Sequence, residues 1–368
     1  MAQLRLGILG CGSITERALL PHLSLPDAVE LARIVALCDL DQQRAQTLAE
    51  AFGVPSVFAG LETMLDARIV DAVLVATPIP LHFDNIKACL DAGLHVHTQK
   101  TLATSWREGR ILCDLASERG LRLAVSPGQM LLPAYAEARA LIAQDVIGTP
   151  YHVFAVNIAM GHEGERVRQG IGGPDPSWYY RPGGGPLLDM GIYSIHVMLG
   201  LFGQPTQVSA LSSRPMKLKP WGDVTIPVEA DDNFAVLLQF ERGVLGTLST
   251  AYAEESEILR WGHLGVTGER GSIEVRRSPD LPGQYDVLSR IGGVSKRQRF
   301  GCGLSQEHDM MAEAHVYCDV LDFLNAVRED REPVVSAEVA CSALAVLDAA
   351  ALSVRTGRAV VLRSTQHR

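Results

Sequence analysis

Three polar side chains recur along one apolar helical pattern in the second half of the chain: Asp189, Tyr193 and His196. Spacings of four and three residues put them on one face of a helix. Because an unpaired polar group is costly to bury, such a stripe indicates a site or a set of internal partners. A carboxylate can hold hydroxyl groups, and a phenol or an imidazole can move a proton. The pattern predicts proton-transfer chemistry, with a hydrogen-bonded core tyrosine as the alternative for Tyr193.

Lys100 is the fourth catalytic candidate. It follows a short strand predicted over His95–Thr98, and ligands of doubly wound sheets bind at the carboxyl ends of the strands. Its ammonium could hydrogen-bond a reacting oxygen, and its charge would lower the pKa of a neighbouring phenol or imidazole. A phenol needs such help near neutrality, since its ordinary pKa is ~10. We interpret Lys100 as functional rather than as a solvated surface lysine.

A glycine-rich turn follows the first predicted strand, Leu4–Leu9. Gly10 allows a tight turn, and Gly12 lets backbone N–H groups approach a pyrophosphate at the start of the next helix. The third position of this fingerprint is Thr15 rather than Gly or Ala, so the motif is incomplete. The cofactor-binding residues predicted in this turn are Gly10, Gly12, Ser13 and Ile14.

Asp39 ends the second predicted strand, 27 residues after Gly12. A carboxylate at this point can accept both ribose hydroxyls of NAD and would repel the 2′-phosphate of NADP. The sequence therefore favours NAD over NADP, with a solvated loop aspartate as the alternative. Arg44 would reverse this preference if it turned toward a 2′-phosphate.

The elements that must position these residues change character along the chain. Short apolar strands alternate with amphipathic helices up to about Ser126, which predicts a doubly wound parallel sheet, an α/β Rossmann domain over 1–126. Longer alternating runs then predict an α+β domain over 127–368 with a large, mainly antiparallel open sheet. A Gly/Pro-rich loop at 161–185 leads into a helix predicted over Pro186–Phe202.

Composition limits the class of protein. The 368 residues carry 33 Lys and Arg against 42 Asp and Glu, a net charge of −9, which argues against nucleic-acid or anionic-membrane partners. Seven scattered cysteines without a C-x-x-C pair suit free thiols in a reducing compartment and predict neither disulfides nor a metal site. We expect no signal peptide and no apolar run of membrane-spanning length, and therefore a cytoplasmic protein.

Two further motifs complete the pattern. Ala76-Thr77-Pro78 is followed four residues later by His82, and a glycine run leads into Asp189-x-Gly191-x-Tyr193. On these motifs the chain, from Leu4 to about Leu362, resembles the glucose–fructose oxidoreductase / inositol dehydrogenase / rhizopine catabolism (Gfo/Idh/MocA) family. The family has a Glu-Lys-Pro tripeptide where this sequence has Gln99-Lys100-Thr101, so only the lysine is kept.

The resemblance implies roles for individual residues. Asp189 binds substrate hydroxyls, and the residue four positions later, here Tyr193, is the general acid/base. His196 is the competing candidate, and a water relay or a histidine from elsewhere, such as His162, stays open. The further cofactor-binding residues are Thr77, Pro78, His82, Gln99, Lys100 and Gln129. The substrate-binding residues are Trp178, Tyr179, Arg181 and Asp189, the aromatics either stacking on a sugar or anchoring their loop.

The expected activity is hydride transfer between NAD and a secondary alcohol of a sugar, cyclitol or related polyol. Two alternatives remain open at this point: a relative that cleaves glycosidic bonds through transient oxidation with tightly bound NAD, and a non-catalytic regulatory protein of the same fold. The altered tripeptide around Lys100 permits both. An open apolar sheet face further predicts a homodimer or homotetramer through the C-terminal sheet.

Overall fold

The computed structural model describes residues 3–162, 175–254, 256, 260–281 and 283–362. Residues 163–174 of the Gly/Pro-rich loop predicted at 161–185 therefore lie outside the described residues. The chain forms two compact units: Met1–Gly128 with Leu304–Cys341, and Gln129–Gly303 with Ser342–Arg368.

A six-stranded parallel sheet forms the centre of the first unit. Its strands are β1 (Leu4–Leu9), β2 (Ala32–Cys38), β3 (Ser56–Phe58), β4 (Ala72–Val75), β5 (His95–Thr98) and β6 (Leu123–Val125). They lie in the order β3-β2-β1-β4-β5-β6. The order in which successive strands are added therefore reverses between the parallel neighbours β1 and β4, the point where doubly wound folds bind dinucleotides. This order confirms the predicted Rossmann fold.

Helices connect the strands of the first unit and follow local sequence signals. Gln42–Phe52 begins where the Asp41 carboxylate accepts a hydrogen bond from the backbone N–H of Arg44 at 3.0 Å, and it ends at Gly53 with φ +67°. Both are usual helix-end devices. The described helices are Leu20–Leu23, Pro26–Leu31, Gln42–Phe52, Leu61–Asp66, His82–Asp91, Trp106–Glu118, Gln306–Asp309 and Ala314–Glu329, with a π-helical turn at Thr15–Leu19 and a 3₁₀ turn at Ile79–Leu81.

The first unit also takes in a segment from the far end of the sequence. Helix Ala314–Glu329 supplies Asp319, which accepts a hydrogen bond from the Gly128 N–H at 2.8 Å. The Val125 N–H donates to the Val335 carbonyl at 2.8 Å, so the segment extends the edge at β6. The predicted boundary after residue 126 lies close to the observed one at Gly128, but residues 304–341 pack with the first unit.

A nine-stranded sheet dominates the second unit. Its strands are β7 (Pro150–Ala159), β8 (Gln207–Ser213), β11 (Asn233–Gln239), β12 (Leu245–Tyr252), β13 (His263–Gly268), β14 (Gly271–Arg277), β15 (Tyr285–Ile291), β16 (Val294–Phe300) and β17 (Val360–Val361). The order is β16-β15-β14-β13-β7-β12-β11-β8-β17, with β7 and β12 parallel and the other neighbours antiparallel. The predicted open, mainly antiparallel sheet is confirmed.

Smaller elements of the second unit surround this sheet. A separate antiparallel ribbon, β9 (Leu218–Trp221) with β10 (Val224–Pro227), was not predicted from the sequence, because strands of four residues are too short to show a hydrophobic period. The other described elements are helices Pro133–Ala143 and Ile192–Phe202, a π-helical turn at Leu187–Gly191, and 3₁₀ turns at Gln129–Leu131, Pro176–Tyr180 and Glu241–Gly243.

One helix corrects the sequence-based expectation about apolar runs. Ala337–Thr356 has 20 residues and a mean hydropathy of 1.7 in its most apolar window, so by length and composition it could cross a membrane. The expectation that no run reaches this length is wrong for this helix. In the structure 56% of that window is buried by the rest of the protein.

Candidate cofactor and substrate sites

The turn after β1 depends on glycine at one position and leaves space at another. Gly10 has φ +99°, and a Cβ there would lie 2.7 Å from the Ala76 carbonyl oxygen. Any side chain at this position would therefore strain the backbone of the turn and collide with the Ala76 carbonyl. No described atom lies within 4 Å of a Cβ built on Gly12. The turn thus holds its shape at Gly10 and leaves room for a phosphate at Gly12.

Thr15 explains why the glycine fingerprint is incomplete. Its side chain is fully buried, and its hydroxyl donates to the Gly10 carbonyl at 2.6 Å. The Thr15 hydroxyl therefore stabilises the turn by a hydrogen bond that a glycine at this position could not make. Ser13, two residues earlier, accepts a hydrogen bond from Arg17 Nε at 3.0 Å. A threonine at the third fingerprint position can therefore stabilise the turn through its hydroxyl.

Asp39 is fixed at the end of β2 by backbone donors. Its Oδ2 accepts from the Cys11 N–H at 2.6 Å, and its Oδ1 accepts from the Asp41 N–H at 2.8 Å. Each carboxylate oxygen has two lone pairs, so each can still accept a ribose hydroxyl. The same carboxylate raises the pKa of Cys11 toward about 12, second to the effect of burial.

Arg44 is held against the phosphate-binding turn. Its Nε donates to the Cys11 carbonyl, and its guanidinium pairs with Glu16 at 2.5 Å. Arg44, which could otherwise have bound a 2′-phosphate, is therefore already paired with the Glu16 carboxylate.

His82 joins two loops at the carboxyl end of the first sheet. Its ring nitrogens lie 2.8 Å from the Thr77 carbonyl oxygen and 2.5 Å from that of Thr101. Burial lowers the pKa of His82, so a neutral ring holds the loop after β4 against the loop after β5. The geometry gives His82 a positioning role, and its predicted cofactor contact stays a prediction. Thr77 and Pro78 lie on the loop that it holds.

Gln99 and Lys100 occupy the second of these loops. Gln99 is buried, and its Nε2 has no hydrogen-bond partner among the described residues. An unsatisfied buried donor costs about 1–3 kcal/mol, which a bound molecule with acceptor oxygens would recover. Lys100 is half-buried at the end of this strand, and its peptide bond to Thr101 is cis. With the turn and Asp39, the loop fits a dinucleotide.

Gln129 lies in the second unit, directly after the change of unit. It is buried, and its Oε1 also lacks a partner among the described residues. The orphaned acceptor is consistent with the predicted cofactor contact, which stays a prediction.

Asp189 is the centre of a polar cluster inside the second unit. Its side chain is 2% exposed, and its Oδ2 accepts hydrogen bonds from the Tyr252 hydroxyl at 3.0 Å and from His162 Nε2 at 2.8 Å. The π-helical turn Leu187–Gly191 carries the carboxylate, and single π turns inside helices are frequent at functional sites. Neither partner is near Asp189 in the sequence.

An aromatic stack extends from this cluster. The His162 ring lies on Tyr179, with centroids 3.7 Å apart, and Tyr179 lies on Trp178 at the same distance. Tyr180 is instead fully buried and packs against Tyr252. The segment therefore anchors itself through Tyr180 and keeps Trp178 and Tyr179 half-buried. Arg181, the next residue, is exposed.

The glycine run after these aromatics permits a close crossing. A Cβ on Gly184 would lie 2.6 Å from the Trp178 and Tyr179 carbonyl oxygens. The run therefore lets the backbone pass directly over the aromatic segment before the helix that carries Asp189 begins.

Tyr193 and His196, the two predicted proton-transfer residues of the helix, differ in their surroundings. Tyr193 is half-buried and meets the Trp261 ring edge to face, with centroids 5.0 Å apart. His196 is buried, and burial lowers its pKa to about 4. His196 is therefore a neutral core residue near neutral pH, and its predicted role as the competing acid/base stays a prediction.

The chain is similar over most of its length to characterised dehydrogenases. It is 24% identical to D-apiose dehydrogenase of Paraburkholderia graminis over 98% of this chain and 90% of that protein. It is 27% identical to D-glucoside 3-dehydrogenase of Escherichia coli over 68% of this chain and 70% of that one. Myo-inositol 2-dehydrogenase of Lactobacillus plantarum shares the fold, with a TM-score of 0.77 at 21% identity over 98% and 100% of the two chains.

Two family models match consecutive parts of the sequence. The model of an oxidoreductase family with an NAD-binding Rossmann fold matches residues 4–126, and the model of the GFO/IDH/MocA C-terminal domain matches residues 135–274. Together they span well over half of the chain, in the order that the two folds require. The chain therefore belongs to the Gfo/Idh/MocA family and is an NAD(P)-binding oxidoreductase.

Proposed function

We propose that the protein transfers hydride between NAD and a secondary alcohol of a sugar, cyclitol or related polyol. The observation that carries the proposal is the buried Asp189 carboxylate, held by Tyr252 and His162 and bordered by half-buried aromatic rings. A carboxylate binds vicinal hydroxyls, and aromatic faces pack on the C–H face of a sugar ring. Relatives named for apiose and glucosides support this substrate class.

The residues take distinct roles in this proposal. Lys100 hydrogen-bonds the reacting oxygen and favours its negative charge. Asp189 holds the substrate hydroxyls and orients the reacting carbon. Bound nicotinamide supplies the hydride acceptor or donor. The burial of His196 favours Tyr193, a histidine outside this helix or a water relay as the group that moves the hydroxyl proton.

Replacing Lys100 tests the activity. We expect Lys100→Met to retain NAD binding, measured by quenching of protein fluorescence, and to lose turnover by about 100-fold or more, because a charged donor to the reacting oxygen is gone. Lys87→Met removes an exposed lysine paired with Asp91 and serves as the control. A screen of sugars and cyclitols with NAD and with NADP provides the assay. Unchanged turnover in Lys100→Met would refute the assigned role.

The preference for NAD rests on two carboxylates at the turn. Asp39 would face a 2′-phosphate directly, and Glu16 neutralises Arg44. We expect kcat/KM with NAD to exceed that with NADP by at least about tenfold, or 1.4 kcal/mol. Asp39→Ser should narrow that ratio, whereas substitution of the exposed Asp66 should not. Equal use of both cofactors by the unaltered protein would contradict the preference.

A second candidate is cleavage of a glycosidic bond through transient oxidation. Gln99 in place of the acidic residue of the family tripeptide favours it, as does the similarity to a D-glucoside 3-dehydrogenase. This activity predicts NAD that stays bound through purification and bond cleavage without net NADH. Continuous NADH formation from a free polyol would exclude it.

The open face of the nine-stranded sheet supports self-association. Leu211, Leu237 and Leu245 project from the same face, as the register of β8, β11 and β12 requires, and Leu237 is 57% exposed. Apolar surface of this kind is usually covered by a partner. We expect a homodimer or homotetramer by light scattering and a smaller species for Leu237→Lys. A monomeric unaltered protein would refute this.

A reducing location fits the cysteines. All seven are buried free thiols, as expected for a protein that works in the cytoplasm. Fractionation of the source cells is the direct measurement of location, and we expect the protein in the cytoplasmic fraction.

A further inference from the structure

His162 is one of the hydrogen-bond partners of the Asp189 carboxylate. Its Nε2 lies 2.8 Å from Asp189 Oδ2. An ionised carboxylate only accepts hydrogen bonds, so this nitrogen carries the hydrogen. In a neutral imidazole the other nitrogen, Nδ1, then holds a bare lone pair. The pair therefore presents a proton acceptor of fixed tautomer.

The ring is also fixed in orientation. It stacks on Tyr179 with an interplanar angle of 17°, and the edge-to-face contact with Tyr252 closes a second side. Tyr252 in turn donates to the same carboxylate oxygen as His162. Ring plane, tautomer and carboxylate are thus set by one small group of residues within the second unit.

Access to solvent separates His162 from the helix histidine. The His162 side chain is 31% exposed, whereas Asp189 behind it is 2% exposed. A group that takes a proton from a substrate must reach the substrate on one side and be oriented on the other. His162 is oriented by Asp189 and is open to solvent, whereas His196 is buried.

We propose that His162 is the acid/base of the reaction, with Asp189 as the carboxylate that orients it. The inference rests on the proposed function and names the proton acceptor within it. In the oxidation, the hydroxyl proton of the substrate moves to Nδ1 while the carbon gives up its hydrogen with two electrons to NAD. A C=O bond forms, and the imidazolium then releases the proton to water. Reduction runs the same transfers backwards.

The consequence for Tyr193 is a change of role. With proton transfer at His162, the half-buried Tyr193 phenol contributes substrate contact through its hydroxyl, and its ring packs on Trp261. Its replacement by Phe should raise KM for the polyol more than it lowers kcat.

Imidazole rescue tests the proposal. We expect His162→Ala to lose about 100-fold or more in kcat, as for removal of a general base, and imidazole in the buffer to restore at least tenfold of it. His152→Ala, at the other end of β7, is the control and should be unaffected. Full turnover in His162→Ala, or a loss that imidazole does not restore, would overturn the proposal.

A spectroscopic reading does not depend on turnover. In the unaltered protein labelled with ¹⁵N-histidine, one ring should show Nε2 protonated and Nδ1 bare, a signal absent from His162→Gln and shifted in Asp189→Asn. The opposite tautomer would overturn the assignment even if the alanine variant failed to fold. If no polyol reduces NAD with the unaltered protein, the proposed function fails; if it does and His162→Ala matches it, only this inference fails.

Discussion

The turn at Gly10 and the cluster at Asp189 are built in opposite ways. The turn lies within a short stretch of chain and is made by backbone conformation, with Gly10 at φ +99° and Thr15 bonded to its carbonyl. The cluster joins side chains of three distant segments, through His162, Asp189 and Tyr252. A site made by backbone leaves its signature in consecutive residues, whereas a site made by side chains depends on topology.

The difference extends to what each site can tolerate. In the turn, a single added Cβ atom at Gly10 is expected to disrupt the fold, because it would collide with the Ala76 backbone carbonyl. In the cluster, Asp189 has two donors on one oxygen, so the loss of one leaves the other. For stability we therefore expect the largest effect from the turn, and among the substitutions tested below the smallest effect from loss of the Tyr252 hydroxyl.

Alanine at the two glycines is the sharpest test of the turn. Gly10→Ala should cost roughly 5 kcal/mol, from positive φ and from collision with the Ala76 carbonyl, and should abolish NAD binding. Gly12→Ala should leave the unfolding free energy almost unchanged and weaken NAD binding only, since its Cβ occupies the space of a phosphate. Denaturant unfolding and NAD titration separate the two. Equal destabilisation by both would show that the turn is not held at Gly10.

Asp319 tests whether the segment 304–341 contributes to the stability of the first unit. This carboxyl lies beneath the loop after β6, where it accepts from the Gly128 N–H, and burial raises its pKa to about 7. The unfolded chain releases this proton near pH 3.8, so between about pH 4 and 7 the folded state binds more protons. Stability from this group therefore falls as pH rises through that window, by on the order of 4 kcal/mol.

Replacement of Asp319 isolates this effect. Asp319→Asn removes the ionisation and keeps an oxygen for the Gly128 N–H. Its unfolding free energy, compared with that of the unaltered protein, should improve from pH 4 to pH 8, whereas Asp66→Asn at an exposed position should show no such trend. A constant difference across the range would mean that the carboxyl does not carry a buried charge.

These contrasts show what the sequence could and could not predict. Hydrophobic period and helix-end residues placed β1, β5 and helix Gln42–Phe52 closely, because those signals are local. The ribbon β9–β10 was missed because each strand has only four residues, too few to establish a hydrophobic period. The return of residues 304–341 to the first unit was missed because a helix pattern does not say which sheet it covers.

The candidate site divides along the same line. Gly10, Gly12 and Asp39 were predicted from spacing alone. The structure gives Gly10 a positive φ, leaves space at Gly12 and holds Asp39 by the Cys11 N–H, and their cofactor contacts stay predictions. For Asp189 the residue was found, but its partners were not, since nothing local links it to Tyr252. Helix spacing also grouped His196 with Asp189, although a π turn and burial separate their roles.

His196 offers a test of that separation. Burial holds its folded pKa at about 4, below the ordinary 6.5, so the unfolded chain binds the extra proton between these values. Stability should therefore be lost as pH falls from 6.5 to 4, by up to about 3 kcal/mol. His196→Gln should flatten this trend and retain turnover at pH 7, while His152→Gln leaves the trend in place. A folded His196→Gln without turnover would return His196 to the reaction.

Tyr252 is expected to give the smallest effect. Tyr252→Phe removes the hydroxyl that donates to Asp189 and keeps the ring that packs on Tyr180. One hydrogen bond is worth about 1 kcal/mol, so KM for the polyol should rise about fivefold with little change in kcat. Tyr151→Phe, at an exposed position on the same sheet, is the control. A 100-fold fall in kcat would instead make Tyr252 a proton-transfer group, and the cluster would then be as intolerant of change as the turn.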